Sequence, residues 1–339
     1  MSQVFSSIGY QPYFYGRTQH ETRDAYSKLL SEHLDNKPCL ITPSGMSAIN
    51  VVLESVTSKA VPNTYLMSTA ELYCDTHRVL KHYAGIYNLQ YQVIDYSEPI
   101  VSFADKHVIL FTEIVSNPNG NIIDLELLSQ LQTCTASLTV IIDITWTTAS
   151  GFNPFTIPNV THVVSSLSKY YSGSSCIAGA IWCRDQQLSD TCFYFLRLHG
   201  LYVAPHICQM LIDSWSTFET RMRQHQVKTQ QVLSCLNHPN ILAIQHPKHN
   251  NNKYISYFTN PWFPVFTITC KGSKNKLLKV IKKNQHLVYK TSFGSSESRV
   301  DPWPKVDNDN HTLTWRVSVG YDDDVNNIVV GINDILDKM

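Results

Sequence analysis

Neither sign of charge dominates this 339-residue chain, in which 27 Lys+Arg stand against 27 Asp+Glu. Without a basic excess, non-specific binding to a phosphate polymer has no electrostatic driver, so nucleic acid is a poor first partner. No Cys-x-x-Cys pair occurs among the nine cysteines, at 39, 74, 134, 176, 183, 192, 208, 235 and 270. Most sit in apolar runs, which reads as reduced, buried thiols of a cytosolic protein, with no metal-ligand spacing. The N-terminus, MSQVFSSIGYQPYFYGR, lacks the basic and apolar regions of a signal peptide. No apolar run reaches the roughly 18 residues a membrane span needs, so the expectation is a cytoplasmic protein without membrane contact. The Gly-x-Gly-x-x-Gly and Gly-x-x-x-x-Gly-Lys-Ser/Thr patterns are missing too, which removes support for a dinucleotide or triphosphate cradle. Repeats are absent, and the one low-complexity stretch is the polar loop HPKHNNNKY at 246–254.

Apolar side chain is plentiful. Hydrophobic residues make up 43% and charged residues 16%, which excludes a disordered or collagen-like chain and allows a large core. Short β-rich runs at 38–42, 64–69, 89–95, 107–113, 138–144, 162–167 and 178–183 alternate with helical patterns at 20–35, 45–58, 74–86, 122–133 and 186–198. Several strands are unbroken Val/Ile/Leu, as in strands covered on both faces. This rhythm predicts an α/β domain with a mostly parallel seven-stranded sheet between helices. Residues 203–235 read as one long helix without Pro or Gly after its first turn. Strands near 264–270, 286–292 and 312–319, with helices at 275–284 and 323–338, predict a smaller C-terminal α+β domain.

Two residues stand out chemically. Lys169 leaves the buried strand of HVVSSLSKYYSGSS into a Ser-rich turn. Desolvation lowers an amine's pKa, and the neutral amine is the form that condenses with a carbonyl. The plain alternative is a lysine pointing to water. Asp143 ends the strand LTVIID, where a lone carboxylate is costly without a cationic or hydrogen-bonding partner. A protonated pyridine nitrogen would serve, and strand-end Asp followed by strand-end Lys is the pair expected around pyridoxal phosphate. Ser44-Gly45-Met46 lies between a strand and a helix, where backbone N–H groups can face a phosphate; a simple N-cap is the other reading. Ser166 and Ser168 could add hydroxyl donors to that phosphate.

Taken together, the motifs resemble the Cys/Met-metabolism branch of fold type I pyridoxal-phosphate enzymes: cystathionine γ-synthase, cystathionine lyases, methionine γ-lyase and O-acylhomoserine sulfhydrylases. In chain order they are Tyr15-Gly16-Arg17, PSGMSAI (43–49), Leu72-Tyr73 with Thr76, EIVSNP (113–118), IIDITWTT, SLSKY, TFETRMRQHQ from 217, SFGSSES (292–298) and Arg316-Val-Ser-Val-Gly320. The resemblance implies that Lys169 holds the cofactor and removes the Cα proton, while Asp143 keeps the ring nitrogen protonated. It implies that Tyr73 stacks on the ring and assists proton movement at the leaving group, and that Asn117 touches the phenolic oxygen. Ser44, Gly45, Met46, Ser166 and Ser168 would hold the phosphate, joined by Tyr15 and Arg17 of a neighbouring subunit. Arg316 would clamp the substrate carboxylate, with Ser292 and Thr291 beside the substrate. The implied organisation is an arm at 1–36 contacting the neighbouring subunit, a cofactor-binding domain at 37–205, a connecting helix at 206–236 and a small domain at 237–339. A catalytic dimer, paired into a tetramer, would follow.

The pattern is not followed everywhere. Ile144 replaces an Asn, Gly173-Ser174-Ser175-Cys176 replaces Gly-His-Ser-Asp, and Thr291 stands where cystathionine γ-lyases carry Glu. Asp75 falls where methionine γ-lyases place a Cys, and could favour a polar substrate end or bond a backbone N–H. The expected function is γ-elimination or γ-replacement on a homoserine-derived or sulfur-containing L-amino acid. The alternatives are a β-lyase, a γ-lyase for an unusual, for example γ-halogenated, amino acid, or a scaffold without turnover.

Overall fold

Unbroken apolar strands need cover on both faces, and the chain provides it with helices that pack on either side of the sheet. The computed structural model describes residues 13, 15–94, 103–250, 253–302 and 312–339. Residues 1–12 and 14 of the expected arm, Asp95 at the end of the expected strand 89–95, and 251–252 of the polar loop lie outside the described residues. The first elements are α1 (Glu21–His33), β1 (Cys39–Thr42), α2 (Gly45–Thr57), β2 (Thr64–Thr69), α3 (Cys74–Ile86), β3 (Gln90–Ile94), β4 (Phe103–Glu113), α4 (Leu125–Cys134), β5 (Thr135–Asp143), a short α5 (Thr148–Gly151), β6 (Val160–Ser166), β7 (Gly179–Cys183) and α6 (Gln186–Leu198). The strands form one sheet in the order β1-β7-β6-β5-β4-β2-β3, with β7 alone running against the rest. Alternate residues of the central strands serve two cores: Val108, Leu110, Val140 and Ile142 join Leu127 and Leu131 of α4. Ile109, Phe111 and Ile141 join Val51 and Val52 of α2. The mixed, mostly parallel seven-stranded sheet expected from the sequence is therefore present.

The chain continues through α7 (Pro205–Trp215) and α8 (Phe218–Cys235) into β8 (Ile241–Gln245), β9 (Val265–Lys271), α9 (Lys274–Ile281), β10 (Val288–Tyr289), β11 (Arg299–Asp301), β12 (Thr312–Ser318) and α10 (Val325–Asp337). A second sheet, in the order β10-β11-β12-β9-β8, packs Phe266, Ile268, Trp315 and Val317 against Val232, Leu277 and Ile332. No helix of the described residues is long and apolar enough to cross a membrane.

Two expectations need correction. The connecting helix 206–236 is two helices, broken at Ser216 and Thr217. There the hydroxyls bond back to the carbonyls of Asp213 and Ser214, competing with the helical ladder. The expected strand 286–292 shrinks to Val288–Tyr289 because the chain turns sharply, with φ 80° at Ser292 and 83° at Gly294. Strands β8 (ILAIQ) and β11 (RVD) are not among the expected ones; β11 is only three residues long with charged ends, whereas β8 is apolar enough to have been read as a strand.

The break in the helix is held by one guanidinium. Arg221, buried, donates to the carbonyls of Tyr170 (2.5 Å), Tyr171 (3.1 Å) and Ser214 (3.1 Å). Arg221→Met leaves those buried acceptors unpaired and should destabilise the protein by about 3 kcal/mol. Thermal melting of wild type and variant checks this; equal melting temperatures would show that the carbonyls find other donors.

Candidate active site

In a parallel sheet the carboxyl ends of the strands open onto one edge, and that edge is where ligands sit. Here β1 runs out into Ser44, β4 ends at Glu113, β5 at Asp143, and β6 leads through Ser166 and Ser168 to Lys169. A cavity of about 420 Å³ lies over them, lined also by Gly45, Met46, Tyr73, Cys74, Asn117, Thr145, Trp146, Thr291, Ser292 and Arg316. Every expected site residue except Tyr15 and Arg17 lines this one cavity.

Its small end is a tight backbone cradle. Ser44 caps α2, its hydroxyl accepting from the Ser47 N–H at 3.0 Å, so the helix begins at the cavity wall. A Cβ on Gly45 would sit 2.8 Å from the Ser166 Cβ, and one on Gly179 would sit 2.3 Å from the Ser44 carbonyl oxygen. Only glycine fits either place. Ser168 exchanges hydrogen bonds with Ala178, its hydroxyl donating to that carbonyl and accepting from that N–H, both at 3.1 Å.

The reactive centre sits deeper. Lys169 Nζ donates to Ser292 Oγ at 2.8 Å. Burial, helped by the charges of Arg316 and Arg299, lowers the amine's pKa to about 8. Asp143 is buried and accepts from the Thr145 N–H at 2.7 Å. Burial outweighs that bond and the nearby Lys169 charge and raises its pKa to about 6. Beside it across the ladder, Glu113 accepts from the N–H groups of Tyr73 (2.6 Å) and Asn117 (3.1 Å). Desolvation first, then the Asp143 charge, push Glu113 well above the usual carboxylate range.

The second sheet supplies the other wall. Arg316 donates from Nη1 to Asn117 Oδ1 at 3.0 Å and from Nη2 to Asp301 Oδ2 at 2.9 Å. Tyr73 caps α3 at the mouth, 42% exposed, and its hydroxyl donates to Asp75 Oδ2 at 3.2 Å. Asp75 is held by Arg78 as well, so it bonds side chains rather than a backbone N–H, and Cys74 is the neighbour that lines the cavity. Ile144 is fully buried in the core and does not line the cavity, nor do Ser174, Ser175 and Cys176.

Tyr15 and Arg17 bond each other on the surface, Arg17 Nε donating to the Tyr15 hydroxyl at 3.0 Å. They contribute nothing to their own chain's cavity. Sequence reasoning missed Thr145 and Trp146 as lining residues and Asp301 as the partner of Arg316. For Thr145 a signal existed: Asp two residues before a Thr favours a local turn that accepts the i+2 N–H. Asp301 becomes the partner of Arg316 only through strand pairing between β11 and β12.

The profile of the Cys/Met metabolism PLP-dependent enzyme family matches residues 2–338. The chain belongs to this family. It is similar to L-methionine γ-lyase of Fusobacterium nucleatum, 22% identical over 96% of this chain and 84% of that one. It is also similar to cystathionine β-lyase of Coxiella burnetii, 24% identical over 97% of this chain and 86% of the relative. In fold it matches cystathionine γ-synthase of Xanthomonas oryzae pv. oryzae, with TM-score 0.85 and 19% identity over 98% of this chain and 90% of that structure.

As a pyridoxal-phosphate enzyme, the chain has a cavity whose residues fit the cofactor. The glycine-walled cradle suits a phosphate, the buried Asp143 suits a protonated ring nitrogen, and the buried Lys169 amine suits an aldehyde. The pH dependence follows from Lys169. Below about pH 8 its ammonium form cannot attack a carbonyl, and above it the neutral amine predominates. Cofactor uptake by apoprotein should therefore speed up about tenfold per pH unit below pH 7.5 and level off above 8.5. Stopped-flow absorbance checks this, with Lys169→Ala as the control that shows no such rise.

Proposed function

We propose that this enzyme carries out γ-elimination or γ-replacement on a homoserine-derived or sulfur-containing L-amino acid. The observation that carries the reading is the arrangement of Arg316, Lys169 and Tyr73 around one cavity. Arg316, kept in place by Asn117 and Asp301, presents a planar fork to the substrate carboxylate. That contact fixes the amino acid so that its Cα hydrogen faces the Lys169 amine. With a pKa of about 8, a far larger fraction of this amine than of an ordinary lysine is neutral near neutral pH and free to accept a proton. Ser292, bonded to Nζ, orients it between transfers. Pyridoxal phosphate supplies the aldehyde that captures the substrate and a ring that withdraws electrons from Cα. Tyr73, whose hydroxyl burial and Asp75 hold above the usual phenol range, carries a proton to the departing γ-substituent. Thr291, a small hydroxyl side chain, leaves that wall without a charge to receive the distal part of cystathionine.

The same Lys169 step would serve a β-lyase, as the cystathionine β-lyase relative is named. A panel of cystathionine, methionine, cysteine, O-acylhomoserine and a γ-halogenated amino acid tests the reading. 2-Oxobutyrate or a new thioether is expected, whereas pyruvate from cystathionine as the sole product would assign β-elimination. Absence of any turnover by yellow holoenzyme would favour the scaffold.

Tyr15 and Arg17, remote from their own cavity, are proposed to complete the cavity of a second copy of the chain. Arg17→Ala and Lys169→Ala homo-oligomers should each be impaired. After denaturation and joint refolding in equal amounts, the mixture should regain about a quarter of wild-type activity, because about half of the dimers are mixed and each of these has one of its two sites intact. No recovery in mixtures of confirmed hybrid dimers would place Arg17 outside the second copy's site.

A further inference from the structure

Among the described residues, one trio of metal-type donors comes together far from the cofactor cavity. His162, Cys183 and Cys192 offer ligand atoms that all lie within 4.8 Å of one another. His162 on β6 faces Cys183 on β7 across the antiparallel ladder, and Cys192 comes from α6. His162 is 1% exposed and both cysteines are fully buried.

The ring of His162 is set up as an acceptor. Thr161 Oγ1 lies 2.9 Å from Nδ1 and 3.4 Å from the Val140 carbonyl oxygen, so its one proton has two acceptors within reach. A metal on Nε2 selects the tautomer with the ring proton on Nδ1, which then donates to the Thr161 hydroxyl while that hydroxyl donates to the Val140 carbonyl. Nε2 is buried with no hydrogen-bond partner. A metal-bound histidine has this arrangement, with its far nitrogen tied to an oxygen and its near one open. Cys192 Sγ also lies 3.5 Å from Ser55 Oγ, a neutral oxygen whose proton goes to the Val52 carbonyl.

We propose that His162 Nε2 and the sulfurs of Cys183 and Cys192 form a structural Zn²⁺ site, with Ser55 Oγ beside its fourth position. Two thiolates and Zn²⁺ sum to zero, which a dry core tolerates, whereas Cu⁺ with the same ligands would leave a net buried charge. No carboxylate belongs to the trio, so the oxygen-seeking Mg²⁺ and Ca²⁺ are disfavoured. Bonds of about 2.3 Å to sulfur and 2.0–2.1 Å to nitrogen require the donors to draw in by about 1 Å. On binding, two Zn–S bonds form, two S–H protons leave to solvent, and nothing is oxidised or reduced. His162 lies four residues before Ser166, about 13 Å along the strand from the cofactor cradle. The metal would pin α6 to the sheet and would not take part in turnover.

Holoenzyme expressed with zinc supplementation and passed over a chelating resin is expected to retain one zinc per chain by atomic emission. Cys192→Ala and His162→Gln should retain none while keeping the bound-cofactor absorbance. Zinc at a thousandfold excess over its Kd should raise the wild-type melting temperature by roughly 5 °C. Where a variant fails to fold, wild-type alkylation decides: Cys183 and Cys192 should react at least about tenfold more slowly in the zinc-loaded protein than in the zinc-free protein. No retained zinc, equal zinc in folded variants, equal alkylation rates, or a Cys183–Cys192 disulfide in the zinc-loaded protein would each overturn the proposal.

Discussion

A carboxyl group and an amine kept from water in the same cavity govern what this chain can do. Burial draws Asp143 up to about 6 and Lys169 down to about 8, so each is shifted toward its uncharged form. Neither shift survives exposure to solvent. The cover of the sheet on both faces is therefore also what makes the chemistry available, since it keeps the strand ends dry and their side chains fixed.

Around that pair, a few carboxylates and carbonyls convert fold into geometry. Glu113 spans two loops by accepting from the N–H groups of Tyr73 and Asn117, and the Asn117 side chain in turn accepts from Arg316. Tyr73, Asn117 and Arg316 thus share one chain of hydrogen bonds. Asp301 closes it from the second sheet, at the residue paired with Arg316 across β11 and β12.

Much of this was legible in the residues. Apolar runs such as HVILFT and LTVIID carry their strand character and their two-sided burial in composition alone. Lys169 and Asp143 were visible as costly residues at strand ends. The contacts of long sequence separation were not legible: Arg316 with Asp301, Thr145 beneath the Ser166 N–H, and the trio of 162, 183 and 192. No local periodicity encodes which strand ends meet. The helix break after Trp215 was hidden for a different reason. Ser and Thr are tolerated in helices, and only the buried Arg221 and the carbonyls it gathers make the interruption worthwhile.

The two ends of the cavity differ in how much change they can absorb. At the glycine end, Gly45 and Gly179 press against Ser166 and the Ser44 carbonyl, and any added carbon collides with main chain or with a short side chain that has nowhere to go. At the other end, Thr291, Cys74 and Tyr73 hang from turns and a helix start. Side-chain changes that reshape the cavity can thus be absorbed at one rim, while the opposite rim has no room for them.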